Sequence, residues 1–154
     1  GVVYVGGNTD LEQKELYDRV DDAVCAVRSA LVEGILPGGG IALYNVANQV
    51  SEYDYSDISS SKKIAHAILD TALRAPLMQI LMNAGLSIED IYGDGEIVEG
   101  YDVKDRVYGD VYKMGIIDPV KVTRSALQNA VSVAVTILST NAIITMARTY
   151  EAAD

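Results

Sequence analysis

The sequence predicts a mainly α-helical domain with a short N-terminal strand, a small β-hairpin and a terminal strand. Three observations lead there. Apolar residues recur every three or four positions along four segments, the period of a helix with one buried face. Capping and stop residues bracket those segments. Only short stretches outside them run apolar or alternate as strands do. The chain has 154 residues, enough for one compact domain, and with 49% of them hydrophobic it has the apolar side chains to build a core.

In chain order, residues 2–5 (VVYV) read as a short strand that stops at Gly6-Gly7. Thr9-Asp10-Leu11-Glu12 has the spacing of a capping box, so a helix follows. Leu16, Val20, Ala23, Val24, Val27 and Leu31 line one face of it as far as Glu33, and Gly34 ends it. A second helix starts within Gly38-Gly39-Gly40 and carries Ile41, Tyr44, Ala47 and Val50 inward. Residues 51–60 are polar and turn-like. A long helix over residues 61–84 turns Ile64, Ile68, Leu73, Leu77, Ile80, Leu81 and Ala84 along its length, with a kink predicted at Pro76 and a stop at Gly85.

Ser87-Ile88-Glu89-Asp90 begins a short helical turn. Residues 93–112 hold glycines, many charges and a partial alternation at Tyr101, Val103 and Val107, which predicts an exposed β-hairpin. Asp118-Pro119 reads as an N-cap followed by proline at the first helical position. That helix runs through Leu127, Val131, Ala134 and Leu138, and residues 141–146 (NAIITM) read as the terminal strand. There is no repeat and no Pro- or Ser-rich linker.

Charge narrows the function. Lys and Arg number 12 against 22 Asp and Glu, and a net charge of −10 argues against nucleic acid or an anionic membrane as partner. One cysteine, Cys25, cannot form an intrachain disulfide, which fits a reducing, cytoplasmic compartment. The chain opens with Gly1 on an apolar β-like run rather than a signal peptide, and the missing initiator Met suggests processing or a piece of a longer chain. Residues 125–147 carry no charge and are long enough to span a bilayer. Gln128, Asn129, Thr136, Asn141 and other hydroxyl and amide side chains interrupt that run, so a helix facing protein is the expectation.

The stretch GILPGGG, residues 34–40, allows two readings. Three glycines can be a helix-to-helix turn needing positive φ, or a helix N-terminus stripped of side chains to present N–H groups to a ligand. No Lys-Ser/Thr follows, so it is not a Walker loop. Asp21 and Asp22 lie mid-helix. Asp22 points away from the apolar face, near Glu15 and Asp18, either in a solvated acidic stripe or as a carboxylate that polarises a water or complements a metal held elsewhere. Asp118 caps a helix and can also accept from a sugar hydroxyl. His66 has no histidine or cysteine at ligand spacing and reads as structural. Cys25, outside any CxxC, reads as a small buried residue.

The run DRVDDAVCAVRSALVEGILPGGGIALY closely resembles the C-terminal third of bacterial GroEL-type (group I) chaperonins, where an R-V-E/D-D-A helix leads into E-G-x-x-x-G-G-G-x-A-L. MGIIDPVKVTRSALQNAVSVA resembles the family's M-G-I-x-D-P-x-K-V-T-R-x-A-L-x-x-A-x-S-V-A, and GYDVKDRVYG stands where the family has a G-Y/F-N-A-x-x-x-x-Y-G hairpin. The resemblance implies a helical half of an equatorial domain. It assigns residues 1–33 to the end of an apical and intermediate segment and residues 34–154 to the C-terminal half of the equatorial ATP-binding domain.

By the same resemblance Gly39 meets adenosine through its backbone and Asp118 holds the ribose hydroxyls. Asp102, Val103 and Lys104 line the adenine, and Asp22 swings down to align the attacking water. Glu33 and Arg124 match partners across the intermediate–equatorial junction. ATP is the implied cofactor, with Mg²⁺ bound by residues of the N-terminal half, whose Asp-Gly-Thr-Thr-Thr phosphate loop does not occur here. The chain alone is therefore expected to hydrolyse ATP poorly or not at all. The implied partners are unfolded client proteins, a GroES-type cochaperonin and further copies in a homo-oligomeric ring.

Departures accompany the match. Asp102-Val103-Lys104 replaces the usual Asn-Ala-Ala, a ring–ring ion pair found in many members is replaced near Met78 and Ser87, and the tail ARTYEAAD lacks Gly-Gly-Met repeats. The competing reading is a stand-alone, non-enzymatic module that docks onto chaperonin rings.

Overall fold

The computed structural model describes residues 1–92, 100–142 and 144. Five helices dominate: α1 (Asp10–Glu33), α2 (Ile41–Ser51), α3 (Ser60–Asn83), α4 (Ile88–Tyr92) and α5 (Val120–Leu138). Four three-residue strands complete it: β1 (Ile35–Pro37), β2 (Gly100–Asp102), β3 (Val107–Gly109) and β4 (Ile117–Pro119). They form two antiparallel pairs, β1 with β4 and β2 with β3. The mainly α class is as expected.

Local chemistry sets the helix ends. Thr9 accepts from Glu12 N at 3.2 Å, while the Glu12 carboxylate reaches back to Asn8 N at 2.8 Å, one residue earlier than a strict capping box. Gly34, at φ 90°, closes α1 by donating to Ala30 O at 2.7 Å. α3 runs on through Pro76 and ends in a Schellman motif. There Gly85, at φ 73°, donates to Met82 O at 3.0 Å and Leu86 N donates to Leu81 O at 2.9 Å.

The core lies where α2, α3 and the hairpin meet. Ile41, Leu77, Leu81 and Val111 are buried together, with Tyr44, Ile91, Tyr101, Val103, Met114 and Ile116 packed around them. Gly100 permits this closeness, because a β-carbon there would stand 2.0 Å from Val111 Cγ1 and 2.9 Å from Ile41 Cδ1. A half-buried polar clamp also joins α2 to α3. Arg74 pairs with Asp70 at 2.9 Å, donates to Asn48 Oδ1 at 2.9 Å and to Ser51 Oγ at 3.1 Å, and lies over the Tyr44 ring. The Arg74 hydrogen bond holds the Asp70 carboxyl below its usual range.

Several expectations need correction. Residues 2–5 form no strand. A strand is stable only when another backbone pairs with it, and among the described residues the Val5 carbonyl accepts only the Gln13 side-chain amide, at 3.1 Å. In the expected terminal strand, Asn141, Ala142 and Ile144 are not in strand conformation, and Ile143, Thr145 and Met146 lie outside the described residues. Asp118 is not an N-cap. It pairs with Leu36 inside β4, the preceding position of α5 is Pro119, and Val120 N donates to Gly34 O at 3.1 Å. Cys25 is exposed rather than buried, because α1 contributes no buried residue among those described. The apolar face expected of α1 likewise stays open, with Leu31 82% exposed.

Candidate functional site

The three glycines divide the two readings between them. Gly38 N donates to Ile116 O at 2.9 Å, and a β-carbon on Gly38 would stand 2.9 Å from Ile116 C and Ile117 N. Gly40, at φ 82°, packs on α3 so closely that a β-carbon would stand 2.6 Å from Leu77 N. Close backbone packing requires both, and Gly40 is held by its positive φ as well. Gly39, at φ 68°, would bring a β-carbon only into ordinary contact, 3.6 Å from Ile116 Cγ2. Its open side faces a cleft.

That cleft has a volume of about 560 Å³ and runs between α3 and α5, with Gly39, Leu43, Pro76, Asp118, Thr123 and Leu127 among the residues lining it. Among the described residues Asp118 is the single charged one in the lining. Burial pushes its carboxyl above the usual carboxylate range. A carboxylate deprived of water in apolar surroundings is a hydrogen-bond acceptor in want of donors. The β1–β4 pairing, with Leu36 opposite Asp118, is what brings Gly39 and Asp118 to one cleft. β1 leads straight into the glycine turn and β4 carries the aspartate. Two segments far apart in sequence thereby share one wall.

The other candidates lie outside this wall. Asp22 is exposed on α1, eleven residues before Glu33 and therefore about 16 Å up the helix from its C-terminal end at ~1.5 Å per residue. Asp102 ends β2, and its Oδ1 accepts from Lys104 N at 2.8 Å and Asp105 N at 3.2 Å. Its carboxylate is thus partly occupied in closing the hairpin turn. Val103 packs against the core and Lys104 is exposed at the turn. None of these three lines the cleft, although Gly100 at the hairpin's base rests on Ile41, the residue after the glycine turn.

Glu33 and Arg124 do pair, with Arg124 donating to the two carboxylate oxygens at 2.7 and 3.1 Å, and to Gln128 Oε1 at 2.9 Å. The Arg124 hydrogen bond lowers the Glu33 pKa. His66 approaches Tyr55 Oη at 3.2 Å and stacks with Tyr53. Among the described residues no group of three or more His, Cys, Asp or Glu is placed to hold a metal ion. Nor is any described helix long and apolar enough to cross a membrane. Sequence reasoning missed Leu43, Pro76 and Thr123 as cleft residues. Leu43 and Thr123 left a signal, standing in the same sequence motifs as Gly39 and Asp118, and Pro76 left none.

Comparison with known proteins decides the family, since the chain matches the TCP-1/cpn60 chaperonin family over residues 2–148. The chain belongs to the TCP-1/cpn60 chaperonin family. It is a GroEL-type member. The chaperonins GroEL of Orientia tsutsugamushi strains Boryong and Ikeda are each 39% identical to it over 148 residues, covering 94% of this chain. This chaperonin chain spans about a quarter of the length of those relatives, 26% in each case. Both the glycine turn and the Asp118 strand fall within the matched region.

Proposed function

We propose that this chain belongs to the working machinery of an ATP-dependent protein-folding chaperonin, and that the cleft beside Gly39 and Asp118 receives the nucleoside of ATP. The supporting observation is the β1–β4 pairing, which sets a wall without a side chain and a partly desolvated carboxylate on one apolar cleft. A nucleoside suits that chemistry. Its flat base and sugar can lie against Gly39, and the ribose hydroxyls donate to Asp118. Asp102, Val103 and Lys104 border the base from the hairpin. Asp22 aligns the water once the α1 segment closes toward the nucleotide.

Residues 1–33 then act as the end of the apical and intermediate segment, and residues 34–154 as half of the equatorial domain. Hydrolysis needs a phosphate and Mg²⁺ grip that the described residues do not form, so those groups come from elsewhere in the parent chain. In that parent, ATP turnover drives a homo-oligomeric, cytoplasmic ring that encloses unfolded clients under a GroES-type cochaperonin.

Calorimetric titration of the chain with ATP and ADP, with and without Mg²⁺, tests this. The expected result is weak binding indifferent to Mg²⁺ and lost in Asp118→Ala and Gly39→Val, each checked by circular dichroism for retained helix. A folded chain that binds neither nucleotide overturns the reading.

A further inference from the structure

We draw no further inference here: the strongest candidate, the uncharged seam of Ile64, Ile68, Thr71, Ala75, Met78 and Met82 along the outer face of α3, is an unpartnered apolar face, and nothing in the structure shows what covers it.

Discussion

A β-carbon on Gly40 would stand 2.6 Å from Leu77 N and 2.9 Å from Leu77 Cα, both backbone atoms of α3 that cannot rotate away. Gly39 has the same left-handed backbone but only the tip of Ile116 nearby. Substitution should therefore separate the two. Gly39→Ala bears the cost of positive φ alone, about 1 kcal/mol. Gly40→Ala adds a backbone clash that only moving α3 relieves, and should cost roughly 1–3 kcal/mol more in line with overpacking elsewhere. Urea unfolding of both variants gives the comparison, and equal midpoints would show that α3 does not approach Gly40 this closely.

Asp118 offers a second test at the same scale. Its carboxyl titrates above the usual 3.8 because burial disfavours the charged form. The ionised form accepts from two hydroxyls with charge-assisted bonds on both oxygens, whereas protonation turns one oxygen into a donor and weakens the acceptor that is left. Nucleoside binding should therefore weaken on acidification at a higher pH than an ordinary carboxylate would set, and Asp118→Asn should flatten that dependence while lowering affinity. Binding measured by fluorescence anisotropy of a labelled ATP analogue from pH 7 to 4 reads this directly. An affinity that stays level down to the ordinary carboxylate range means that Asp118 is not the acceptor.

Among the elements, the β1–β4 pair does the positioning, and it was the least legible feature of the sequence. Each strand is three residues long and contains a proline, so neither shows the alternation by which strands are recognised. Asp118-Pro119 carries the residue types of a helix start, and the backbone pairing with Leu36 overrode that local preference. The helices were readable because their caps act locally. Gly34 and Gly85 lie where the sequence placed them, and α3 is bounded within one residue of expectation. The hairpin was readable in kind from Tyr101, Val103 and Val107, and its pairing joins Tyr101 to Tyr108. However, Tyr101 and Val103 pack on the core instead of standing exposed, and residues 93–99 of the expected stretch lie outside the described residues. At the cleft, Gly39 and Asp118 came from resemblance to a family. No spacing rule could show that residues nearly eighty positions apart share a wall.

Glu33 and Arg124 tie the end of α1 to the start of α5 across that strand pair. The sign of the pH dependence follows from the shift. The folded-state pKa of Glu33 is lowered from 4.5, so the pair's contribution is present above the unfolded value and is lost as pH falls through the folded one. The pair is exposed, so its effect should be small and weakened by salt. Glu33→Gln should remove the part of the acid-side loss that titrates below 4.5 while leaving the neutral-pH fold intact. Thermal melts of both proteins between pH 3 and 7 check this, and parallel curves would assign the acid sensitivity to other carboxylates.

For the molecule as a whole, burial is lopsided. The buried hydrophobic residues are Ile41, Ala47, Leu73, Leu77, Leu81 and Val111, from α2, α3 and the segment after the hairpin, while α1 and α5 contribute none among the described residues. Leu31 at 82% and Leu138 at 81% exposure mark two helix faces that carry the apolar periodicity of buried helices without a cover among the described residues. Apolar patches of this kind drive association, whereas a net charge of −10 opposes it. The two forces respond oppositely to salt. Screening shrinks the repulsion over about 10 Å at 0.1 M and leaves apolar attraction in place.

The chain should therefore self-associate with rising concentration, associate more at 0.5 M than at 0.05 M NaCl, and enhance the fluorescence of an apolar dye. Sedimentation velocity across a concentration series at the two salt levels measures the first two. Dissociation by salt would point to ion pairs as the glue. A monodisperse monomer that ignores the dye would mean that the apolar faces of α1 and α5 are covered within the free chain.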